Sequence, residues 1–332
     1  MLPLAAELLV QLSAPDRRAA ADLCVAHIES GTSLRELVEK SLAPAMAEVG
    51  GLWQAAIWSV VDEHIATGVA ETALSAAARC DRRTSASGEI VVACVEGDWH
   101  SLPSRMVAEV LDGEGWSVRF LGASHPTSML TDYVRRHRPE AVLLSCAVPM
   151  ALPALVGAVH ALHELDTKVF VGGRALGTTP YRAAAVGADG WAAGAPTSEL
   201  LAQPMAAARP VAAFTRLDEH RDLQRLLPAW SESAMTRLST LMPAVASFPA
   251  RAQERTQADL HHLLDMASIA WLLEDESLMI EQCQWLADVL AAYGVPPEAL
   301  PHGLTALLDT EPGSAIVAGL RRQLVAGQAA IE

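Results

Sequence analysis

Asp98 and His100 stand two residues apart in the stretch EIVVACVEGDWHSLP, Glu89–Pro103. An imidazole is a common metal ligand, and a carboxylate can orient it by accepting the proton of its other ring nitrogen. The chemistry on offer is coordination of a metal by His100, with Asp98 holding the ring. Both residue types are also ordinary in loops, so the pair takes its meaning from the rest of the chain. Upstream, WQAAIWSVVDEH places Trp53 nine residues before Glu63-His64. Alone, these read as a core tryptophan and two solvated polar side chains. Downstream, Ser145 and Gly172-Gly173 each end an apolar run.

The elements that must position these residues fall into three regions. Residues 1–84 read as a bundle of about four helices. Leu4, Leu8, Leu9 and Leu12 share one face, and Ser33 with Glu36 has capping-box spacing before Leu37, Leu42 and Met46. Gly31-Thr32-Ser33 and Gly50-Gly51 are expected to break the helices, and a long helix should run from about Ser59 towards Ala78. Cys80–Ser87 is polar and reads as a linker. Residues 85–212 alternate strand and helix, as in a doubly wound, flavodoxin-like parallel sheet. Strands are expected at Ile90–Val95, Ser117–Leu121, Ala141–Cys146, Lys168–Val171 and Gly190–Ala193, with helices at 104–114, 126–137, 150–164, 178–186 and 197–208. A 2-1-3-4-5 order would gather the loops carrying Asp98, His100, Ser145 and Gly172-Gly173 at the carboxyl ends of the strands, where open α/β sheets bind ligands. After a second linker at Ala206–Ala213, residues 213–332 show only helical periodicity and read as a separate all-helical domain.

Composition narrows the function classes. The 332 residues carry a formal net charge of -15, with no basic stripe, which argues against binding a phosphate backbone and hence DNA. Five cysteines without a C-x-x-C pair argue against a disulfide framework or a structural zinc site and suggest a reducing compartment, the cytoplasm by default. Charges interrupt every apolar run, so neither a signal peptide nor a membrane span is expected.

Together, the motifs resemble a known family. Asp98-Trp99-His100-Ser101-Leu102-Pro103 is similar to the cobalamin signature D-x-H-x-x-G, Ser145 to the Ser of its S-x-L, and Gly172-Gly173 to its G-G. A helical bundle directly precedes them, and Trp53 followed by Glu63-His64 resembles the signature of light-sensing adenosylcobalamin proteins. The resemblance implies that His100 becomes the lower ligand of cobalt in place of the nucleotide base, with Asp98 behind it. It implies a nucleotide tail passing Ser145 and Gly172-Gly173, and Trp53, Glu63 and His64 over a 5′-deoxyadenosyl group. Light would then break the cobalt–carbon bond and the bundle would rearrange, changing the oligomeric state, with a dimer expected. Pro103 stands where the family has its last glycine, Ala147 where it has leucine, and Gln54 where the best-known light-sensing repressors carry a histidine directly after the tryptophan.

Residues 215–332 are loosely similar to globin-like sensor domains related to phycobilin-binding proteins. An adenosylcobalamin module followed by such a domain resembles the photocobilins, which bind cobalamin and biliverdin. This implies a bilin pocket drawn from His261, His262, Asp265, Trp271, Cys283 and Trp285, with Arg251 or Arg255 for a propionate. The expected function is a non-enzymatic light sensor acting through an unknown effector. The alternatives are a corrinoid carrier protein of a methyltransferase system, which gives Trp53, Glu63 and His64 no joint role, and a scaffold whose helical half mediates dimerisation.

Overall fold

The computed structural model of the chain describes residues 3–14, 16–80, 88–203, 212–313 and 317–331. It divides into two compact units, Met1–Arg209 and Pro210–Glu332. Residues 1–84 and 85–209 thus share a unit. The expected linkers at Cys80–Ser87 and Ala206–Ala213 lie largely outside the described residues.

The first unit opens with helices α1 (Pro3–Ser13) and α2 (Arg17–Glu29). A third helical run follows without interruption: α3 (Leu34–Leu37), a π-helical turn (Val38–Leu42) and α4 (Ala43–Gln54). Helix α5 (Val60–Cys80) completes the bundle. Side chains close the helix starts. Asp16 accepts from the N–H groups of Arg18 and Ala19, and Ser33 from that of Glu36. Leu8, Leu12, Cys24, Leu37, Leu42, Val49, Val69 and Leu74 form the bundle core. Gly50 and Gly51, expected to end a helix, lie inside α4. Each costs the helix about 1 kcal/mol relative to alanine, and the buried Ala45 and Val49 on the same element outweigh that cost by packing into the core.

The sheet follows, with strands β1 (Glu89–Val95), β2 (Ser117–His125), β3 (Ala141–Ser145), β4 (Lys168–Gly172) and β5 (Gly190–Trp191). The order is β2-β1-β3-β4-β5, and every pair is parallel. Buried β-branched runs such as Ile90–Val92 suit strands covered on both faces. Helices α6 (Ser101–Gly113), α7 (Thr127–His137), α8 (Leu152–His163) and α9 (Tyr181–Ala185) make the four crossovers, and α10 (Ser198–Ala202) follows β5. Residues 204–208, the end of the helix expected over 197–208, lie outside the described residues.

Helix α6 belongs to two cores. Leu102, Met106 and Val110 pack into the bundle core, while Ala108 and Leu111 pack with Ile90, Leu143 and Phe170 of the sheet. Polar contacts reinforce this. Arg105 of α6 donates to the Ser75 hydroxyl of α5 at 2.8 Å. Arg35 of α3 spends all five N–H groups: two on the Glu114 carboxylate just past α6, one on Glu39, and two on the carbonyls of Ala195 and Pro196.

The second unit contains α11 (Ala212–Thr215), α12 (Leu217–Leu241), α13 (Ala250–Leu273), α14 (Glu276–Ala292), α15 (Ala299–Asp309) and α16 (Val317–Ala329). Its described residues contain no strand. Trp230, Leu264, Met279, Leu304 and Leu324 are among its buried side chains, and the Trp230 indole N–H is satisfied by the Leu307 carbonyl at 2.9 Å. Among the described residues, no helix is long and apolar enough to cross a membrane.

Candidate functional site

The β1–α6 loop is held by its own polar groups. Asp98 is completely buried. Its Oδ1 accepts from the His100 backbone N–H at 3.0 Å and faces His100 Nδ1 at 2.9 Å, while its Oδ2 accepts from the Ala147 N–H, just beyond β3, at 2.5 Å. A buried carboxylate thus receives three N–H groups when the imidazole carries its proton on Nδ1, which satisfies an otherwise costly charge. That arrangement engages Nδ1 and leaves Nε2 for a metal. The His100 side chain is 59% exposed, so the ring is presented rather than packed. Its pKa is raised, chiefly by the hydrogen bond to Asp98, against the opposing effect of burial and with smaller attractions from Asp98 and Glu63.

The two departures from the cobalamin signature prove compatible with this geometry. Pro103 lies in the first turn of α6, after His100 at the N-cap. An N–H there has no intrahelical acceptor, so proline loses nothing by lacking one. Ala147 reaches Asp98 through its backbone N–H, a bond indifferent to the missing leucine side chain.

Ser145 ends β3, paired with Cys94 on one side and Gly172 on the other. The glycines have a packing reason of their own. Gly173 has φ +102°, and a Cβ there would stand 2.4 Å from the Cys146 carbonyl oxygen. A Cβ on Gly172 would stand 2.7 Å from the Ala192 oxygen. Close backbone approach therefore demands glycine at both positions whether or not a ligand passes them.

Trp53 sits half-buried near the end of α4. Glu63 closes the first turn of α5 and His64 follows it; the helix begins with a reciprocal cap, Ser59 N–H to Asp62 Oδ2 at 2.8 Å and Asp62 N–H to Ser59 Oγ at 3.2 Å. Glu63 accepts from the Thr67 hydroxyl at 3.1 Å and approaches His64 at 3.5 Å. Ile57, Val60, Val61 and Ile65, on the same stretch, are exposed apolar side chains, and so is Trp99 beside His100. The attraction of Glu63 is the smallest of the causes that raise His100 and links α5 to the β1–α6 loop electrostatically.

The residues present fit a corrinoid. His100 offers one oriented nitrogen. Two buried polar atoms, His125 Nδ1 and Trp191 Nε1, have no partner among the described residues; they lie at the carboxyl ends of β2 and β5, the end of the sheet where a polar ligand is expected. The sequence reading missed three features: the Ala147 N–H, the Ser124 hydroxyl, which accepts from the Gly97 N–H at 3.1 Å, and the Ser59–Asp62 cap. Only the cap had a sequence signal, its S-x-x-D spacing.

In the second unit, His261, His262 and Asp265 come together on α13. Asp265 faces His261 at 3.6 Å, and its carboxyl is raised by burial, with His261 opposing. His262 accepts from the Gln282 amide at 3.1 Å and is lowered by burial. Ser268 donates to the Asp265 carbonyl and contacts buried His220 at 3.2 Å. The other candidates occupy packing positions. A Cβ on Gly319 would stand 2.3 Å from the Trp271 ring, which Arg216 also approaches at 5.6 Å, and one on Gly327 would stand 2.7 Å from Cys283 Sγ. Burial pushes the Cys283 thiol up to about 12, which disfavours the thiolate a covalent attachment needs. Trp285 is half-buried on α14, and Arg251 and Arg255 are exposed.

Comparison with known proteins agrees with the geometry of the first unit. Residues 88–198 match a family described as a B12 binding domain, and residues 4–77 match a second family of the same description. Dimethylamine corrinoid protein 1 of Methanosarcina acetivorans is 27% identical over 164 residues, 47% of this chain and 76% of that protein. The solved structure of the Methanosarcina barkeri monomethylamine corrinoid protein is 20% identical with a TM-score of 0.51, covering 59% of this chain and 93% of that one, a likeness of fold. These matches support a cobalamin-binding protein family for this chain, with the helical bundle and the parallel sheet as its two B12-binding domains.

Proposed function

We propose that the first unit is a corrinoid carrier in which His100 would supply a cobalt ligand and the helical bundle would cover the bound cofactor. The 2.9 Å contact between His100 Nδ1 and a fully buried Asp98 carries this reading. Asp98 holds the Nδ1 proton, fixes the ring plane and leaves Nε2 as the donor. When bound, the cofactor supplies a cobalt–carbon bond that can pass on an alkyl group or be broken by light. The exposed Ile57, Val60, Val61 and Ile65 would exclude water from the cofactor, and α6 would report on both sides because it packs into both cores. The two relatives, both named as corrinoid proteins, favour the carrier over the light sensor expected from the sequence.

The light-sensing reading keeps one specific observation. Trp53 and Glu63 lie on the same stretch as the exposed Ile57, Val60, Val61 and Ile65, an arrangement that a plain carrier does not require. The relatives cover 47% and 59% of this chain, which also carries the separate helical unit Pro210–Glu332. Under this reading the cofactor is adenosylcobalamin, the His261, His262 and Asp265 group serves biliverdin, and an effector reads a light-dependent change of assembly. Absorption spectra of protein loaded with adenosylcobalamin separate the two. A spectrum changed by green or blue light, lost in Trp53→Ala, supports the sensor. A methylated form consumed by a partner methyltransferase, with no light response, supports the carrier.

A further inference from the structure

The end of β2 does not run straight. Its register with β1 slips twice, between Val92 and Ala93 and between Ala93 and Val95, so β2 carries two extra residues across that span. Gly122 takes φ +86° there and Ser124, a non-glycine residue, φ +49°. Bulges of this kind re-aim a side chain beside a functional site, and a left-handed serine persists only where its surroundings enforce it. What Ser124 gains is specific. Its N–H donates to the Asp98 carbonyl at 2.8 Å, and its hydroxyl oxygen accepts from the Gly97 N–H at 3.1 Å. From β2, the two bonds hold the peptides on either side of the Gly97–Asp98 pair, one through the Gly97 N–H and one through the Asp98 carbonyl. The Asp98 carboxylate grips Ala147 and His100 from the other end.

We infer that Ser124 is a positioning residue for the metal ligand: it fixes the Asp98 backbone and, through the Asp98 carboxylate, the stance of the His100 ring at the sheet end. It touches neither cofactor nor cobalt. The inference rests on the reading of His100 as a cobalt ligand. Ser124→Gly removes the hydroxyl together with its Cβ and suits the positive φ at no steric cost, whereas Ser124→Ala removes the hydroxyl alone and leaves a Cβ in the disfavoured region.

The test uses the full chain labelled with 15N-histidine and loaded with cob(II)alamin at a pH above the His100 titration, with the 15N doublet in its electron paramagnetic resonance spectrum reporting the histidine-bound fraction. The histidine-on equilibrium constant should fall about fivefold in Ser124→Gly, the worth of one hydrogen bond, and further in Ser124→Ala. Total cobalamin uptake should hold steady in both. Wild-type splitting in both variants would overturn the role of Ser124. Loss of splitting only in proportion to lost uptake would also overturn it, by showing a merely structural role. His100→Ala is the control: if it keeps the protein-derived splitting, the reading of His100 fails instead.

Discussion

The His100 imidazole faces the Asp98 carboxylate at 2.9 Å, Nδ1 to Oδ1, one side chain 59% exposed and the other completely buried. The exposed ring is thus aimed by a group that is itself immobilised, through the Ala147 N–H, by the neighbouring strand. His100→Ala should abolish the histidine-bound cobalamin spectrum and weaken binding. Asp98→Asn should retain binding and reduce the histidine-bound fraction about tenfold, as expected when a partner behind a ligating histidine is lost. Absorption titrations with cobalamin check both.

The raised pKa of His100 gives a pH dependence with a definite sign. Its folded-state pKa lies above the unfolded value because the Asp98 hydrogen bond favours the imidazolium. The stability contributed by this pair is therefore fully present below the unfolded pKa and is lost as pH rises through the folded one. A metal needs the neutral ring, so ligation is favoured on the alkaline side. In cofactor-free protein, the NMR titration of His100 should have its midpoint above the ordinary histidine value, and Asp98→Asn should bring it down.

His220 runs the other way. Burial lowers its pKa to about 4, with Arg221 a smaller cause. The second unit then holds the neutral ring, and stability is lost as pH falls from the unfolded value of 6.5 towards that figure. The loss is roughly 3 kcal/mol. Thermal unfolding from pH 7 to pH 4 should show it, and His220→Gln should flatten the profile.

Gly173→Ala should destabilise the first unit by about 2–4 kcal/mol, because it adds a Cβ against the Cys146 backbone at a positive φ. Denaturant unfolding measures it. A neutral result would mean that the β4 loop relaxes easily.

Arg35→Met would leave the Glu114 carboxylate and the carbonyls of Ala195 and Pro196 without their shared donor. The expected cost is about 2–3 kcal/mol. Faster amide exchange should appear where α3 and α6 meet, while the second unit keeps its exchange rates.

The sheet was legible because its strands are short, apolar and bounded by turns. Ile90–Val95 and Ala141–Cys146 differ from the observed β1 and β3 by one residue at one end. Helix ends were less so, since Gly50 and Gly51 carry local breaking tendencies that burial of α4 overrides. Asp98 and His100 were visible through their spacing. Ser124 was not, because its role depends on bulges in β2, and a shift of register leaves no mark on residue type. The packing demand on Gly172 and Gly173 was hidden for the same reason: it comes from Cys146 and Ala192 on neighbouring elements.

The most direct test of the account is the electron paramagnetic resonance spectrum of the full chain with cob(II)alamin, on protein labelled with 15N-histidine. Coordination by His100 predicts that the nitrogen triplet of unlabelled protein becomes a doublet on labelling and that His100→Ala removes the doublet. A triplet unchanged by the label would show the cofactor's own base on cobalt and contradict the assignment of His100.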